Sequence, residues 1–246
     1  MKKNSPEIIV CEDTAEIAER AAKVFIELAG GFIKGHGRFT VALSGGRTPQ
    51  DLYKLLSSEK YRGEIDWTGV EFFWGDERCV PPTDPESNFF NARKDLLDKL
   101  EIPEKNIHRI KGELLEAGAG EYETELENAF GLRGGEFPGF DLVILGMGAD
   151  GHTASLFPHT SVLKEKKKRT AAIYVERLKT LRITLTPPVI KGAANIILLV
   201  SGREKSATLY NVLKGDFDPE RLPAQITFSS EAVSTWFVDK EAARKL

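Results

Sequence analysis

Four short polar segments of this sequence contain most of the side chains that could do chemistry. The first, residues 44–49, has the sequence Ser-Gly-Gly-Arg-Thr-Pro and joins an apolar run to a helical pattern. Glycines at such a junction leave backbone N–H groups free at a helix start, where they can bind phosphate. The segment is short and lacks the Gly-Lys-Ser/Thr ending of a nucleoside-triphosphate loop, so it predicts a monophosphate site. The expected ligands of this anion are Ser44, Gly45, Gly46, Arg47 and Thr48.

Two further segments contribute charged groups. An Asp-Glu-Arg triplet, from Asp76 to Arg78, follows a predicted strand. Residues 201–205 join another predicted strand to a helix and end at Lys205, while Arg182 precedes a predicted turn nearby in the sequence. Arg182 and Lys205 could bind the same anion. Taken one at a time, such groups are more often surface ion pairs.

The fourth segment, residues 146–155, combines three glycines with Asp150 and His152. Histidine exchanges a proton near neutral pH, which makes His152 a candidate general base, although a lone histidine is usually structural. The segment also contains Gly-x-Gly-x-x-Gly. Pro158 is expected to end the following helix after about two turns, so we reject a dinucleotide site.

Periodic apolar residues predict the elements that must position these segments. Strands are expected at residues 7–10, 39–43, 70–74, 140–145, 171–175, 195–200 and 235–238. Helices are expected at residues 49–58, 87–100, 114–130 and 205–214. The clearest helix is capped by Asp13 or Thr14 and has an apolar stripe of Ile17, Ala21, Val24, Phe25, Leu28 and Phe32.

The predicted fold is α/β: one domain over residues 1–246, with a doubly wound, mostly parallel sheet flanked by helices on both faces. Residues 141–145 are apolar on both faces of their strand, as in a covered parallel sheet. Ligands bind beyond the carboxyl ends of such strands, so the four polar segments should converge at one edge. This convergence makes function more plausible than any segment does alone.

Composition narrows the classes of protein. With 246 residues, 41% of them hydrophobic, the chain can bury a substantial core, and its net charge of -3 argues against nucleic-acid or anionic-lipid partners. No apolar run reaches the roughly 18 residues of a membrane span, and residues 1–7 do not begin a secretory signal. The two cysteines, Cys11 and Cys79, suit a reducing cytoplasm and are too few for a zinc cluster. The basic run at residues 164–169 is expected to be a solvated loop.

The polar segments at residues 44–49, 75–78 and 146–158 together resemble the 6-phosphogluconolactonase family in composition, order and spacing. The resemblance covers nearly the whole chain. It implies an enzyme that opens 6-phospho-D-glucono-1,5-lactone in the oxidative pentose phosphate pathway without a metal or organic cofactor. It also implies that His152 transfers protons beside Asp150 and Arg78, and that residues 44–48 bind phosphate with Arg182 and Lys205 as further ligands. Asp76 and Asp150 both stay candidates to assist His152.

A lactone carbonyl is already electrophilic, so water needs mainly a base and groups that stabilise the oxyanion. We expect His152 as the base, with Arg78 or helix-start N–H groups near residues 151–153 facing the oxyanion. A serine triad is unfavoured because Ser44 lacks the Gly-x-Ser-x-Gly elbow. One alternative is a glucosamine-6-phosphate deaminase/isomerase. Members of that family resemble an Asp-Glu-aromatic pattern at this point, whereas here Arg78 follows Asp76 and Glu77. Another is a sugar-phosphate-sensing domain without catalysis, which the lack of a helix-turn-helix disfavours.

Overall fold

A computed structural model describes residues 5–246; residues 1–4, part of the stretch in which no export signal is expected, lie outside the described residues. The described chain contains nine strands: β1 (Glu7–Cys11), β2 (Phe39–Leu43), β3 (Val70–Trp74), β4 (Asp76–Arg78), β5 (Leu142–Gly146), β6 (Thr170–Val175), β7 (Thr180–Leu185), β8 (Asn195–Val200) and β9 (Val233–Asp239). Within the same residues its α-helices are α1 (Thr14–His36), α2 (Arg47–Leu56), α3 (Asn88–Asp95), α4 (Ala117–Phe130), α5 (Pro187–Lys191), α6 (Ser206–Lys214) and α7 (Lys240–Ala243).

Six strands form one parallel sheet in the order β1-β9-β8-β5-β2-β3. Every residue of β2 is buried, as are the first four of β5, because both strands lie inside the sheet with apolar neighbours on each face. Helices flank this sheet: α1 packs against α2 and contacts β1, β2 and β9, and α7 packs against α6 and contacts β1 and β9. The predicted α/β class with a mostly parallel sheet is confirmed.

A second sheet, antiparallel in the order β4-β7-β6, was not expected from the sequence. The strand predicted at residues 171–175 exists as β6 but pairs antiparallel with β7. The polar triplet 76–78, expected as a segment following a strand, is itself strand β4, and the residues expected to form a turn after Arg182 begin inside β7. Such short polar strands form because a partner strand completes their hydrogen bonds, which sequence periodicity does not reveal.

Helix α1 shows how local sequence sets the element boundaries. The Asp13 side chain accepts a hydrogen bond from the Glu16 N–H, and Gly37 ends the helix in the left-handed region with φ 83°. In the predicted stripe Ile17, Ala21 and Phe25 are fully buried, while Val24, Leu28 and Phe32 are partly buried against the core. The expected cap and apolar face of this helix are therefore confirmed.

One local prediction was wrong, and another is confirmed for only part of its segment. No helix follows the glycine-rich segment: residues 147–160 form turns, with a bridge between Thr153 and Leu156, so Pro158 ends no helix there. The basic run is exposed at residues 166–168, but Arg169 is 5% exposed. Its Nη1 pairs with Glu123 Oε1 at 3.0 Å and Glu127 Oε1 at 2.9 Å. These carboxylates lie four residues apart on one face of α4, a contact too distant in sequence to anticipate.

Candidate active site

The carboxyl ends of β2, β5 and β8 border a cavity of ≈ 210 Å³ that β4 also lines. It brings together most of the predicted site residues, namely Ser44, Gly45, Gly46, Arg47, Thr48, Asp76, Arg78, His152 and Lys205. Asp150 and Arg182 do not line the cavity, although both contact or pair with residues that do. The expected convergence of the polar segments therefore occurs, with β4 contributing from the second sheet.

The loop after β2 presents a row of backbone donors to this cavity. Tyr53 Oη donates to the Ser44 carbonyl at 2.7 Å and accepts from the Ser44 N–H at 2.9 Å, which holds the start of the loop. Gly46 has φ 104°, a conformation that favours glycine, and no side chain caps α2. Among residues 5–246 the N–H groups of Gly45 and Gly46 have no acceptor, and helix geometry leaves the next two unpaired as well. This arrangement suits an anion.

The side chain of Asp76 is buried and held from two directions. Its Oδ2 accepts from Ser155 Oγ at 2.6 Å, and its Oδ1 accepts from Asn88 Nδ2 at 3.3 Å. Glu77, its neighbour, accepts instead from the backbone N–H groups of Asn88 and Phe89 at 2.7 and 2.8 Å. Glu77 thus stabilises the start of α3, while Asp76 faces the cavity.

Sequence reasoning missed Asn88, which lines the cavity and is only 3% exposed. Its Nδ2 also donates to the Asp76 carbonyl at 2.8 Å. Both partners of this nitrogen are therefore acceptors, which fixes the orientation of the Asn88 amide. Its Oδ1 lies so close to Gly45 that a Cβ on this glycine would come within 1.9 Å of it. Asn88 therefore joins β4 to the glycine loop. In the sequence it looks like an ordinary residue at a helix start.

Asp150 and His152 form a dyad at the end of β5. Asp150 Oδ1 lies 2.5 Å from His152 Nδ1, and it also accepts from the His152 N–H at 3.2 Å. Burial opposes ionisation of Asp150, but its hydrogen bonds to His152 and the charges of His152 and Arg177 outweigh burial and lower its pKa to about 2. An ionised Asp150 accepts the Nδ1 proton, which leaves Nε2 of the neutral ring as the basic atom. The expected helix-start N–H groups near residues 151–153 are absent because no helix begins there.

Arg177 was also missed by sequence reasoning. It lies in the connection between β6 and β7, and its Nη2 is 2.9 Å from Asp150 Oδ2. Its guanidinium also lies over the Phe157 ring at 5.7 Å, and the other stacking partner of that ring is His152, at 4.3 Å between centroids. No sequence motif marks this arginine, since its partner is far away in the chain.

The remaining predicted cations are partly buried, and none of them forms an ion pair within 4.0 Å in residues 5–246. Arg182 stands opposite Arg78 in the β4–β7 register, and burial together with the charge of Arg78 lowers its pKa. Burial also lowers the pKa of Lys205, which forms no ion pair within residues 5–246. Arg78 donates to the Glu86 carbonyl. Burial of a cation and repulsion between neighbouring cations both cost free energy. A bound anion offsets both costs, so these cations favour anion binding.

In the described part of the chain no cluster of three or more His, Cys, Asp or Glu side chains could hold a metal ion. In the same part, no helix is long and apolar enough to cross a membrane.

Comparisons with known proteins identify the fold and the family. A family model for glucosamine-6-phosphate isomerases/6-phosphogluconolactonase matches residues 12–236. A 6-phosphogluconolactonase of Nostoc sp. is 36% identical over 96% of this chain and 97% of its own length. The chloroplastic 6-phosphogluconolactonase 3 of Arabidopsis thaliana is 40% identical over 92% of this chain and 70% of its own length.

Solved structures agree. The 6-phosphogluconolactonase from Trypanosoma cruzi superposes with a TM-score of 0.88 at 30% identity, covering 99% of this chain and 98% of the other. A monomeric glucosamine-6-phosphate deaminase superposes with a TM-score of 0.82 at 21% identity over 98% of this chain and 100% of the other, a likeness of fold alone. The chain therefore belongs to the glucosamine-6-phosphate isomerase/6-phosphogluconolactonase family.

Proposed function

We propose that this protein is a 6-phosphogluconolactonase, which hydrolyses 6-phospho-D-glucono-1,5-lactone to 6-phosphogluconate in the pentose phosphate pathway. The observation that carries the proposal is one cavity with an anion-binding loop at residues 44–48 and the Asp150–His152 dyad beside it. Relatives bearing that enzyme name align with nearly the whole chain. The deaminase/isomerase alternative shares the fold, so only an assay of both reactions separates them.

In the proposed mechanism Nε2 of His152 removes a proton from water as the water oxygen bonds to the lactone carbonyl carbon. Asp150 orients the ring and stabilises the imidazolium that forms. Arg78 lines the same cavity and stabilises the negative charge on the carbonyl oxygen. When the tetrahedral intermediate collapses, the bond to the ring oxygen breaks and the imidazolium returns its proton to that oxygen. No covalent intermediate and no cofactor enters these steps.

We propose that the 6-phosphate binds the free N–H groups after β2 together with Arg47 and Lys205. Both cations line the cavity, and the first turn of α2 directs its partial positive charge there. Arg182 stands opposite Arg78 in the β4–β7 register and does not line the cavity, so its part in phosphate binding is the smaller one. The Asp76 carboxylate is fixed by Ser155 and Asn88. It is in place to accept a hydrogen bond from a substrate hydroxyl rather than to assist His152.

A cytoplasmic location and the absence of nucleic-acid and membrane partners belong to the same proposal. Cys11 and Cys79 are unpaired, which suits a reducing compartment. The Arabidopsis relative is chloroplastic, so members of this family are not restricted to one compartment. Fractionation of cells that express the protein, with immunodetection, tests the location: enrichment in a membrane or organelle fraction would contradict it.

The decisive assay follows opening of freshly prepared 6-phosphogluconolactone against the spontaneous rate, in parallel with ammonia release from glucosamine 6-phosphate. We expect acceleration of the first reaction and none of the second. Ammonia release without lactone opening would assign the deaminase reaction instead. Binding of either sugar phosphate without turnover of any would identify a sensing domain.

A further inference from the structure

The carboxylate of Asp150 is held by few groups. Among residues 5–246 its hydrogen bonds come from the ring and backbone of His152 itself, and its other ion-pair partner is Arg177. A carboxylate bonded only to the residue it must orient cannot fix that residue relative to the rest of the protein. Arg177 supplies the contact from another element, because it lies in the connection of the β6–β7 hairpin.

Arg177 reaches the dyad by two routes. One is the 2.9 Å ion pair to Asp150 Oδ2, which leaves Oδ1 to His152. The other is the ring of Phe157, which packs against both the Arg177 guanidinium and the His152 imidazole. The side chain of Arg177 is 59% exposed, so its pair with Asp150 adds little to stability. Its geometry instead limits how Asp150 and Phe157 can move around the ring.

Resting on the proposed function, we propose that Arg177 is a positioning residue that fixes Asp150 and Phe157 and thereby orients His152 for proton transfer. It does not line the cavity, so the proposal assigns it no contact with the reacting atoms. The β6–β7 connection therefore contributes to the active site through the position of Arg177.

Removal of the Arg177 charge should also change the protonation of His152. The charged groups that surround the ring are Asp150 on its own loop, Arg177 on the hairpin, and Asp76, Arg78, Arg47 and Lys205 around the cavity. Without Arg177, one nearby positive charge is lost and Asp150 acts on the ring with its full charge. The imidazolium becomes more stable, so the neutral base forms only at higher pH.

The test compares Arg177→Gln and Arg177→Lys with Lys179→Gln. Lys179 is an exposed cation in the same connection and has no ion pair within residues 5–246, so its variant removes equal charge without touching the dyad. For Arg177→Gln we expect kcat to fall about three- to tenfold with KM unchanged within about twofold. The acidic limb of kcat/KM should move up by about half a pH unit. Arg177→Lys should recover most of the loss, and Lys179→Gln should match the wild type.

A measurement without substrate separates this proposal from the proposed function. Proton NMR titration of the His152 ring, assigned by its loss in His152→Asn, should show the same upward shift in Arg177→Gln. If the wild type does not open the lactone but the ring titration shifts, the proposed function fails while the contact of Arg177 with the dyad stands. If Arg177→Gln matches Lys179→Gln in kcat and in the titration, or changes only KM, the positioning role is wrong.

Discussion

Gly148→Ala tests the Asp150–His152 dyad without altering either of its members. A Cβ at Gly148 would lie 2.1 Å from both Cε1 and Nδ1 of His152 and 2.7 Å from Asp150 Oδ1. The backbone of Gly148 is outside the left-handed region, so alanine fits its conformation and the conflict is purely one of space. The methyl group must push the ring away from the carboxylate.

The size of the effect follows from that distance. Ordinary contacts of a Cβ begin at 3.4 Å, so the ring must move by more than about 1 Å, and a displacement of about that size costs about 10²-fold in rate. This corresponds to about 2.7 kcal/mol of transition-state stabilisation. The displacement disturbs an ion pair in which the His152 side chain is 27% exposed, so the free energy of unfolding should fall by only about 1 kcal/mol.

The assay is steady-state lactone hydrolysis corrected for spontaneous opening, together with thermal unfolding. The matched control is Gly75→Ala, whose added Cβ would meet its nearest neighbour, the Leu43 carbonyl, at an ordinary 3.5 Å. We expect Gly148→Ala to lose activity with nearly unchanged Tm, and Gly75→Ala to keep activity. A Gly148→Ala enzyme with kcat within about threefold of the wild type would show that the dyad geometry does not limit the reaction.

Four other results are expected. His152→Asn should lower kcat by about 10²- to 10⁴-fold in a folded protein, and an unchanged kcat would remove His152 from the mechanism. Arg47→Ala and Lys205→Ala should each raise KM for the phosphorylated lactone by about tenfold or more, with little change for unphosphorylated gluconolactone. The effect in Arg182→Ala should be smaller. Equal use of both lactones by the wild type would contradict a phosphate site. Activity should survive exhaustive chelation, and a loss restored by one metal ion would overturn the metal-free mechanism. The pKa of Asp150 is lowered from 3.8 to about 2 in the folded state, so its contribution to stability is present above pH 3.8 and lost as the pH falls to about 2. Asp150→Asn should therefore flatten the dependence of Tm on pH between these values. An unchanged profile would refute the pairing.

From the amino-acid sequence alone, the class of fold and most of the residues that line the cavity could be predicted. Short runs of apolar, β-branched residues are typical of strands covered on both faces, which is why β2, β5 and β8 were predictable without tertiary knowledge. Glycines after a strand and a cap before a helix are local signals as well, so the loop at residues 44–48 and the start of α1 were found from spacing alone. Parallel strands then bring their carboxyl ends to one edge.

The partners that hold these groups depend on the packing of the complete fold. The antiparallel sheet depends on pairing between β4 and β7, about a hundred residues apart, and the turns after β5 replace the helix that periodicity suggested. Asn88 and Arg177 act through contacts with Asp76 and Asp150, respectively, and nothing in their local sequence indicates those partners. Local sequence fixes local backbone geometry, whereas a side chain reaching a residue remote in the chain depends on the packing of the complete fold.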